Sequence, residues 1–385
     1  MKKTGVALLC LMCLALAGCT DGLSRSLMVI TMGVDVQGGG YTITVKAPNY
    51  GATGGGAGGS SESEGKGDEN YLLLSVTGSS WEHAMSLLNA AAPRQLRFGQ
   101  LREIVIGMET AQQHHLPQIL TQVDVLQNVR THAQVIVCKG QAKTFLSQQK
   151  SAIGKRLSTY LDVTLDSLRQ KGYIPVATLS ALIRDLNCTW RDPLIAFAAF
   201  QGESGGGDDS SEEGRPVDQL AGTLPREGTD MGEYVGALAV GADGRSTLLT
   251  GYEVQLYHLL AGEKQTMALG VDGQYFDVES RAGRKMHLTQ ENGRETLHLY
   301  LPVTVHYSAF RDEPREDVQG KLQKEAEALI MKLQNSSCDA LGYGCLAVRR
   351  YKTTFDWAEA NWPQRYRDAD VHVEVDVIYR QQGRT

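Results

Sequence analysis

The stretch DVQGKLQKEAEALIMKLQN, residues 317–335, carries the repeat around which we expect the last third of the chain to fold. Apolar residues recur on one side of a 3.6-residue period, whereas glutamine, lysine and glutamate side chains face away. This length predicts a helix that forms the spine of a domain. The apolar positions are Val318, Leu322, Ala326, Leu329, Ile330 and Leu333.

The end of the chain, VHVEVDVIY over residues 371–379, alternates apolar and polar residues without a break. A period of two is typical of a strand with one buried face. We expect this strand to close an antiparallel sheet over the helix of residues 317–335. The prediction for residues 266–385 is therefore an α+β domain in which a curved antiparallel sheet packs around a long helix.

The sequence changes composition upstream of this domain. GESGGGDDSSEEGRP, which ends at Pro216, is dominated by glycine, serine and acidic residues and predicts a solvated linker. We place an acidic linker at residues 201–216 and a small middle domain at residues 217–265. An N-terminal α+β domain is assigned to residues 19–200, so the prediction is a three-domain α+β protein with mixed or antiparallel sheets.

Strand and helix patterns alternate within the N-terminal domain. The glycine-rich stretch of residues 51–70 has too little apolar surface to offset its ordering entropy, and we expect a mobile loop there. A capping box of Ser79 and Glu82 predicts the start of a helix over residues 81–91. Leucines at helical spacing predict a second helix over residues 155–170.

The first residues, MKKTGVALLCLMCLALAGC, indicate an export signal that ends in a lipobox. Lys2 and Lys3 form a positive start, and the apolar run that follows is too short to span a bilayer as a stable helix. The lipobox consists of Leu16, Ala17, Gly18 and Cys19. Cleavage after residue 18 would leave Cys19 to carry lipid, whereas the alternative is an ordinary secretory signal.

The charge of the chain argues against a nucleic-acid partner. The formal net charge is −6, and loss of the two leader lysines would make the remaining chain more acidic. No later run of about 18 apolar residues is present, so we expect an extracytoplasmic body held at a membrane by its lipid anchor.

Four cysteines remain beyond the lipobox: Cys138, Cys188, Cys338 and Cys345. They are scattered, and only Cys338 and Cys345 are near neighbours, so folding does not require a disulfide framework. Two interpretations stay open for that pair: a disulfide bridge or free buried thiols.

No residue pattern indicates a catalytic site, a cofactor site or a metal site. A nucleophile with a nearby base and a Gly-x-Ser-x-Gly motif are both missing from the sequence. His114 and His115 are adjacent, which is poor geometry for two ligands of one metal on a helix. His372, Glu374 and Asp376 share one face of a strand and could reach one ion, but a solvated strand face would show the same pattern.

Aromatic residues cluster shortly before the terminal strand. The group comprises Phe355, Trp357, Trp362 and Tyr366. Such residues dominate both domain cores and protein interfaces, so core packing and a partner surface remain as alternatives.

Four segments, taken in order, resemble the Ger(x)C family, the lipoprotein C subunits of nutrient germinant receptors in spore-forming bacteria. The segments are the lipobox Cys19 followed by Gly33-Val34-Asp35, the strand LREIVIG of residues 101–107, residues 236–262 with Gly251-Tyr252-Glu253, and DALGYG of residues 339–344 through Trp357, Trp362 and the last strand. Each is weak alone, but together they span nearly the whole chain.

The resemblance implies a three-domain lipoprotein that works with an integral-membrane A subunit and a transporter-like B subunit. It places the protein at the inner membrane of the dormant spore, where the receptor helps to convert nutrient sensing into ion release. It implies no enzymatic activity and no cofactor.

A substrate-binding lipoprotein of an importer is the alternative from another functional class. It would share the anchor and the size, but it usually has two α/β lobes with regular strand–helix alternation. The last third of this sequence instead predicts many strands around one helix.

Overall fold

A computed structural model describes residues 25–49, 71–113, 115–152, 154, 156–202, 218–263, 266–271, 274–291, 293–308 and 318–382. The leader with its lipobox, the glycine-rich stretch of residues 51–70 and most of the acidic linker lie outside these residues. The predictions for those segments therefore remain predictions. In the part of the chain that the structure describes, no helix is both long and apolar enough to cross a membrane.

One eight-stranded mixed sheet organises the N-terminal half of the chain. Its strands are β2 (Thr31–Gln37), β3 (Gly40–Pro48), β4 (Tyr71–Gly78), β6 (Glu103–Gly107), β7 (Gln134–Cys138), β8 (Leu194–Ala199), β9 (Glu233–Val240) and β10 (Ser246–Leu249). Their order is β10-β9-β8-β7-β6-β2-β3-β4. The central strands β2, β6, β7 and β8 pair in parallel, and the outer ones pair antiparallel.

Residue type explains the parallel centre of this sheet. The strands β6 and β8, EIVIG and LIAFAA, are buried along their whole length, as expected where helices cover both faces of a parallel sheet. Two separate apolar clusters lie on the two faces. A short parallel pair, β1 (Ser26–Met28) and β5 (Gln95–Arg97), forms a sheet of its own.

Six helices are described in this half. They are α1 (Trp81–Ala91), α2 (Met108–Gln112), α3 (Leu116–Asp124), α4 (Ala142–Gln148), α5 (Leu157–Gln170) and α6 (Leu179–Asn187). The bounds of α1 are those predicted, but the capping residue is wrong by one position: the side chain of Ser80 accepts the His83 N–H at 3.2 Å. The Ser79 hydroxyl lies 3.0 Å from the His83 ring instead.

The region predicted as a separate middle domain, residues 217–265, has no sheet of its own. The strands β9 and β10 extend the N-terminal sheet, because β9 pairs antiparallel with β8. The helix that follows, α7 (Gly251–Ala261), is buried on nearly every side and packs into the core of the C-terminal domain. This region therefore joins the two halves of the molecule.

The C-terminal domain contains a five-stranded sheet. Its strands are β11 (Thr266–Val271), β12 (Gln274–Ser280), β13 (Lys285–Glu291), β14 (Arg294–Ser308) and β15 (Asp370–Gln382). Antiparallel pairing is confirmed for β11 to β14, but β15 runs parallel to β14 over its full length. The prediction of an antiparallel last strand was wrong because a long crossover returns the chain to the end of the sheet where β14 began.

In the described part of that crossover, from residue 318 onward, the chain forms four α-helices: α8 (Val318–Asn335), α9 (Gly344–Ala347), α10 (Thr354–Glu359) and α11 (Trp362–Arg367). The predicted spine is α8, and the six apolar residues of its predicted face are all buried. Two polar residues of α8 are buried as well and hold neighbouring elements. Glu325 accepts the hydroxyl of Tyr252, and Gln334 donates to the carbonyls of Tyr366 and Ala369 at 2.8 and 2.9 Å.

Candidate functional site: the interdomain groove

The motif Asp339-Ala-Leu-Gly-Tyr-Gly344 folds around its own first side chain. The Asp339 carboxylate accepts the backbone N–H groups of Gly342 and Tyr343 at 2.9 Å each and that of Gly344 at 2.5 Å. The indole Nε1 of Trp362 donates to the same carboxylate at 3.0 Å. Burial raises the pKa of Asp339, and these four donors oppose that rise because they favour the charged form.

The last glycine of the motif is required by close contact. A Cβ atom at Gly344 would lie 2.5 Å from the Trp190 carbonyl oxygen and 2.7 Å from Trp362 Nε1. Both distances are too short for any side chain. The motif can therefore place the segment around Trp190 directly against the C-terminal domain.

A reciprocal pair of hydrogen bonds fixes this contact between the domains. Asp192 accepts the Asp339 N–H at 2.8 Å, and its own N–H donates to the Asp339 carbonyl at 3.2 Å. Burial raises the pKa of Asp192 to about 7, and the nearby carboxylates of Asp339 and Asp243 add to the rise. The segment that precedes β8 is thus held to the C-terminal domain by backbone and side chain together.

The predicted aromatic cluster divides between core and surface. Trp357, Trp362 and Tyr366 are buried, and the two tryptophan rings stack with centroids 6.0 Å apart. For these three residues, burial favours the core-packing alternative over the partner-surface alternative. Phe355 is different, because 68% of its surface is exposed.

The Trp357 side chain also forms a hydrogen bond between the two domains. Its Nε1 donates to the Thr189 hydroxyl at 2.9 Å, and Thr189 follows α6 of the N-terminal half. The short helix α10 is consequently fixed to the N-terminal half, whereas Trp362 ties α11 to Asp339 of the C-terminal domain.

A groove of about 560 Å³ opens between these segments. One wall comes from the start of α3 and from residues 185–193, another from the β9–β10 turn, and the third from α10 and the start of α11. Apolar and aromatic side chains dominate the lining. The main ones are Leu116, Leu186, Trp190, Val240, Trp357 and Trp362.

Asp185 and Asp192 are the acidic side chains among the described residues that line the groove. Asp185 pairs with Arg184 at 2.9 Å, and the Arg184 side chain is 64% exposed and is not part of the groove lining. The groove therefore combines aromatic walls with an acidic character, and it is the candidate functional site of this chain.

The N-terminal motif residues are structural. The Asp35 carboxylate accepts the N–H groups of Ala142 and Lys143 at 2.8 and 3.0 Å and so caps α4 from a distant strand. A Cβ atom at Gly107 would lie 2.3 Å from the Asp35 carboxylate, which explains the glycine at the end of LREIVIG.

A buried polar cluster lies on the same face of the N-terminal sheet. Glu103 is fully buried and accepts the side-chain amide of Gln149 at 2.5 Å. Burial raises the pKa of Glu103 to about 7, while Gln149, Tyr234 and the Lys46 ammonium oppose the rise. Lys46 itself donates to the carbonyls of Leu146 and Gln149.

The helix α7 connects the Gly251-Tyr252-Glu253 motif to the spine. Thr250 and Glu253 form a capping box at its start. The Glu253 carboxylate also accepts the Lys332 ammonium of α8 at 2.7 Å, so one glutamate both begins a helix and docks it.

In the part of the chain that the structure describes, His372, Glu374 and Asp376 do not converge as the ligands of one ion. Asp376 is bound by Arg281 and by the Tyr300 hydroxyl, so it is not available beside His372. His372 instead lies in a row across three strands with His298 and His287. Among the described residues no group of three or more His, Cys, Asp or Glu side chains has the geometry of a metal site. His114 lies outside the described residues.

The four cysteines of the described chain are free thiols. Cys338 is buried, whereas Cys345 is half-buried with its Sγ 3.8 Å from the Trp190 carbonyl oxygen. The structure thus contains the free-thiol alternative and no bridge between these two residues.

Sequence reasoning singled out the DALGYG segment and Trp357 and Trp362 but not the groove. Trp190, Asp185 and Asp192 were missed because nothing in the sequence around them predicts that this segment meets residues about 150 positions away. The dipeptide Asp192-Pro193 directly before a buried apolar run is the one signal that could have marked the segment.

Comparison with known proteins agrees with this architecture. Residues 23–198 match the family described as "Spore germination protein N-terminal domain", and residues 246–383 match "Spore germination B3/ GerAC like, C-terminal". The first region runs from β1 into β8, and the second runs from β10 to the end of β15, so that β9 lies between them.

Two relatives extend over nearly the whole chain. A protein of Bacillus subtilis (strain 168), YfkR, whose name assigns it provisionally to spore germination, is 22% identical over 421 aligned positions, with 100% of this chain and 98% of the relative covered. The crystal structure of the GerBC protein superposes with a TM-score of 0.52 at 11% identity, over 90% of this chain and 96% of that one. The structural match supports the fold, and the two matched regions show that the chain belongs to the GerAC-like, or Ger(x)C, family of spore germination proteins.

Proposed function

We propose that this chain is the lipid-anchored C subunit of a spore nutrient germinant receptor. It acts with integral-membrane A and B subunits on the extracytoplasmic face of the inner spore membrane. Its part is to assemble with them and help trigger germination, and it works by binding, not by catalysis. Membership of the spore germination family supports the process, and the lipobox ending in Cys19 supports the location.

The observation that carries the docking role is the exposure of Phe355. It lies on α10, a six-residue helix that is fixed on its other side by Trp357. A rigid helix that presents one large apolar side chain to solvent beside a groove has the form of an interface anchor. The buried aromatics hold this anchor in place.

The test is a charged substitution at that anchor. Phe355→Asp should lower co-purification of the A and B subunits with the tagged chain at least about tenfold, because loss of a packed aromatic anchor typically costs about 2 kcal/mol or more. Spores that carry the variant should germinate more slowly with nutrients. Circular dichroism of the purified chain should remain unchanged.

Tyr275→Asp is the matched control. Tyr275 is 50% exposed but lies on β12, away from α10. Its substitution should leave co-purification and germination as in the wild type. Unchanged co-purification of a folded Phe355→Asp chain would contradict the proposed docking surface.

The importer alternative receives no support from the two matched families, since both are described as spore germination families. The genes next to this one offer an independent observation. Neighbouring genes for an A-type and a B-type membrane subunit favour the receptor, whereas a permease with an ATPase favours an importer.

A further inference from the structure

The interdomain groove has the dimensions of a small-molecule site. Its volume of about 560 Å³ lies within the range of roughly 300 to 1,000 Å³ that is usual for ligand pockets. Its walls come from three segments that are distant in the sequence, and the hydrogen bonds of Asp192 and Trp357 hold those segments together. The groove is therefore preformed and does not need a ligand to assemble it.

Of the tryptophans that line this space, Trp190 keeps 36% of its surface exposed, whereas Trp357 and Trp362 are buried and stack on each other. Trp357 Nε1 is already bonded to Thr189, and Trp362 Nε1 is bonded to Asp339. The faces of such rings attract apolar groups and cations. An anion would find neither of these two indole N–H groups available.

The charges of the lining residues also favour a cationic ligand over an anionic one. Asp185 and Asp192 are both acidic, and none of the lining residues is lysine, arginine or histidine. A negatively charged ligand would therefore be disfavoured, while a positive group would gain from the Asp185 carboxylate, which also pairs with Arg184, and from the aromatic surface of Trp190. Asp192 adds to this attraction to the extent that it is ionised, since burial raises its pKa to about 7.

We propose that this groove binds a small molecule with an apolar body and a protonated amine. The inference goes beyond the docking role and does not depend on it. The apolar body packs against Leu116, Leu186 and the tryptophans, and the amine lies toward Asp185 and Asp192. Binding then bridges the two halves of the molecule at their contact.

Three probes that differ only at the polar end test this chemistry: phenethylamine, phenethyl alcohol and phenylacetate. They are titrated by calorimetry into the purified full chain. We expect saturable binding of phenethylamine, affinity at least about fivefold weaker for the neutral alcohol, and still weaker binding of phenylacetate, in line with the usual strength of cation–π and carboxylate contacts. No saturable binding of phenethylamine, or equal binding of phenylacetate, would overturn the proposal.

A groove-filling substitution locates the binding. Ala358 is exposed and lines the groove from α10, so Ala358→Trp should abolish phenethylamine binding without disturbing the core. Glu359→Trp places the same side chain at the next exposed residue, which does not line the groove, and should bind as the wild type does. Binding that survives in a folded Ala358→Trp chain would show that the groove is not the site.

A second groove-filling variant keeps the location test decisive. If Ala358→Trp fails to fold, Ala242→Trp fills the groove from the β9–β10 turn and is judged by the same criterion.

Asp185→Asn and Asp192→Asn remove one charge each while keeping a hydrogen-bond acceptor. At least one of them should reduce the preference for the amine over the alcohol, and an unchanged preference in both would overturn the assignment of the amine end. Co-purification of the A and B subunits is a separate readout, so failure here leaves the docking proposal untouched.

Discussion

Asp339 is a single side chain on which the contact between the two halves depends. Its carboxylate accepts four hydrogen bonds inside the protein, three from the backbone and one from Trp362. Asp339→Ala would leave these buried donors without an acceptor. We expect a loss of about 3 kcal/mol or more in the free energy of unfolding, because each buried unsatisfied polar group costs about 1 to 3 kcal/mol.

Urea unfolding of the purified chain measures this loss. Glu374→Ala is the control, because Glu374 is exposed on β15 and its removal should change stability by less than about 0.5 kcal/mol. An Asp339→Ala midpoint equal to that of the control would refute the role assigned to the carboxylate. The segment DALGYG was recognisable in the sequence as part of a family resemblance. The structural role of Asp339 was not recognisable, because hydrophobic periodicity does not show where a turn directs its backbone N–H groups.

Glu103 makes stability depend on pH. Its pKa is raised by burial to about 7 in the folded state, against an ordinary value of 4.5. The folded chain therefore holds this proton more tightly than the unfolded chain does. The stability from this group is fully present below about pH 4.5 and is lost as pH rises through about 7, a decline of about 3 kcal/mol.

Comparison with Glu103→Gln isolates this decline. The substitution removes the titrating group, so between pH 4.5 and 7.5 the variant should lose less stability in urea than the wild type does. Glu374→Gln changes an exposed carboxyl and should keep the wild-type slope. If the free energy of unfolding changes with pH to the same extent in the wild type and in Glu103→Gln, then Glu103 is ionised throughout this range.

The four aromatics near α10 show a limit of prediction from residue type. Their composition suited a core and an interface equally well, and the structure assigns three to the core and leaves Phe355 outside. Helices of six residues such as α10 and α11 are too short for a hydrophobic period to reveal which face is buried. Burial was decided by distant partners such as Thr189, which no local pattern contains.

At the level of elements, α8 was the most predictable part of the chain. The predicted apolar face is the buried face, because an 18-residue helix shows five turns of its period. Ile330 is fully buried and Met331, the next residue, is 50% exposed. These two neighbours offer a matched pair of substitutions.

Ile330→Ala should lower the free energy of unfolding by about 2 to 5 kcal/mol, because it removes apolar contacts and leaves a cavity between α8 and the sheet. Met331→Ala should change it by less than about 0.5 kcal/mol, because alanine favours the helix and little packing is lost. Chemical denaturation monitored by tryptophan fluorescence gives both values. Similar losses in the two variants would mean that α8 is not packed on the face described.

The direction of β15 was less predictable than its existence. Its alternation correctly predicted a strand with a buried face, since Val373 and Val375 are buried while His372 and Glu374 are exposed. Alternation is the same for parallel and antiparallel pairing at the edge of a sheet. Only the route of the four-helix crossover determines the direction, and that route is a property of tertiary packing.

On the scale of the whole molecule, the region between the two halves differed most from expectation. Residues 217–265 follow an acidic stretch, which suggested an independent unit, yet β9 and β10 complete the sheet of the preceding domain. The groove forms where this sheet meets α10 and α11. Since its walls come from residues far apart in the chain, composition and local spacing could not reveal it.

Membrane attachment of the whole chain tests the lipobox prediction. The lipobox predicts that attachment depends on a lipid at Cys19. Cys19→Ala should abolish labelling with a radioactive fatty acid and move the chain from the membrane fraction to the soluble fraction, because the anchor supplies the apolar surface that enters the bilayer.

Cys188→Ala changes a half-buried thiol of the folded body and should leave labelling and fractionation as in the wild type. If Cys19→Ala stays labelled and sediments with membranes, the lipid is carried elsewhere. If it loses the label but still sediments, the A and B subunits hold the chain, and adding Phe355→Asp should then release it.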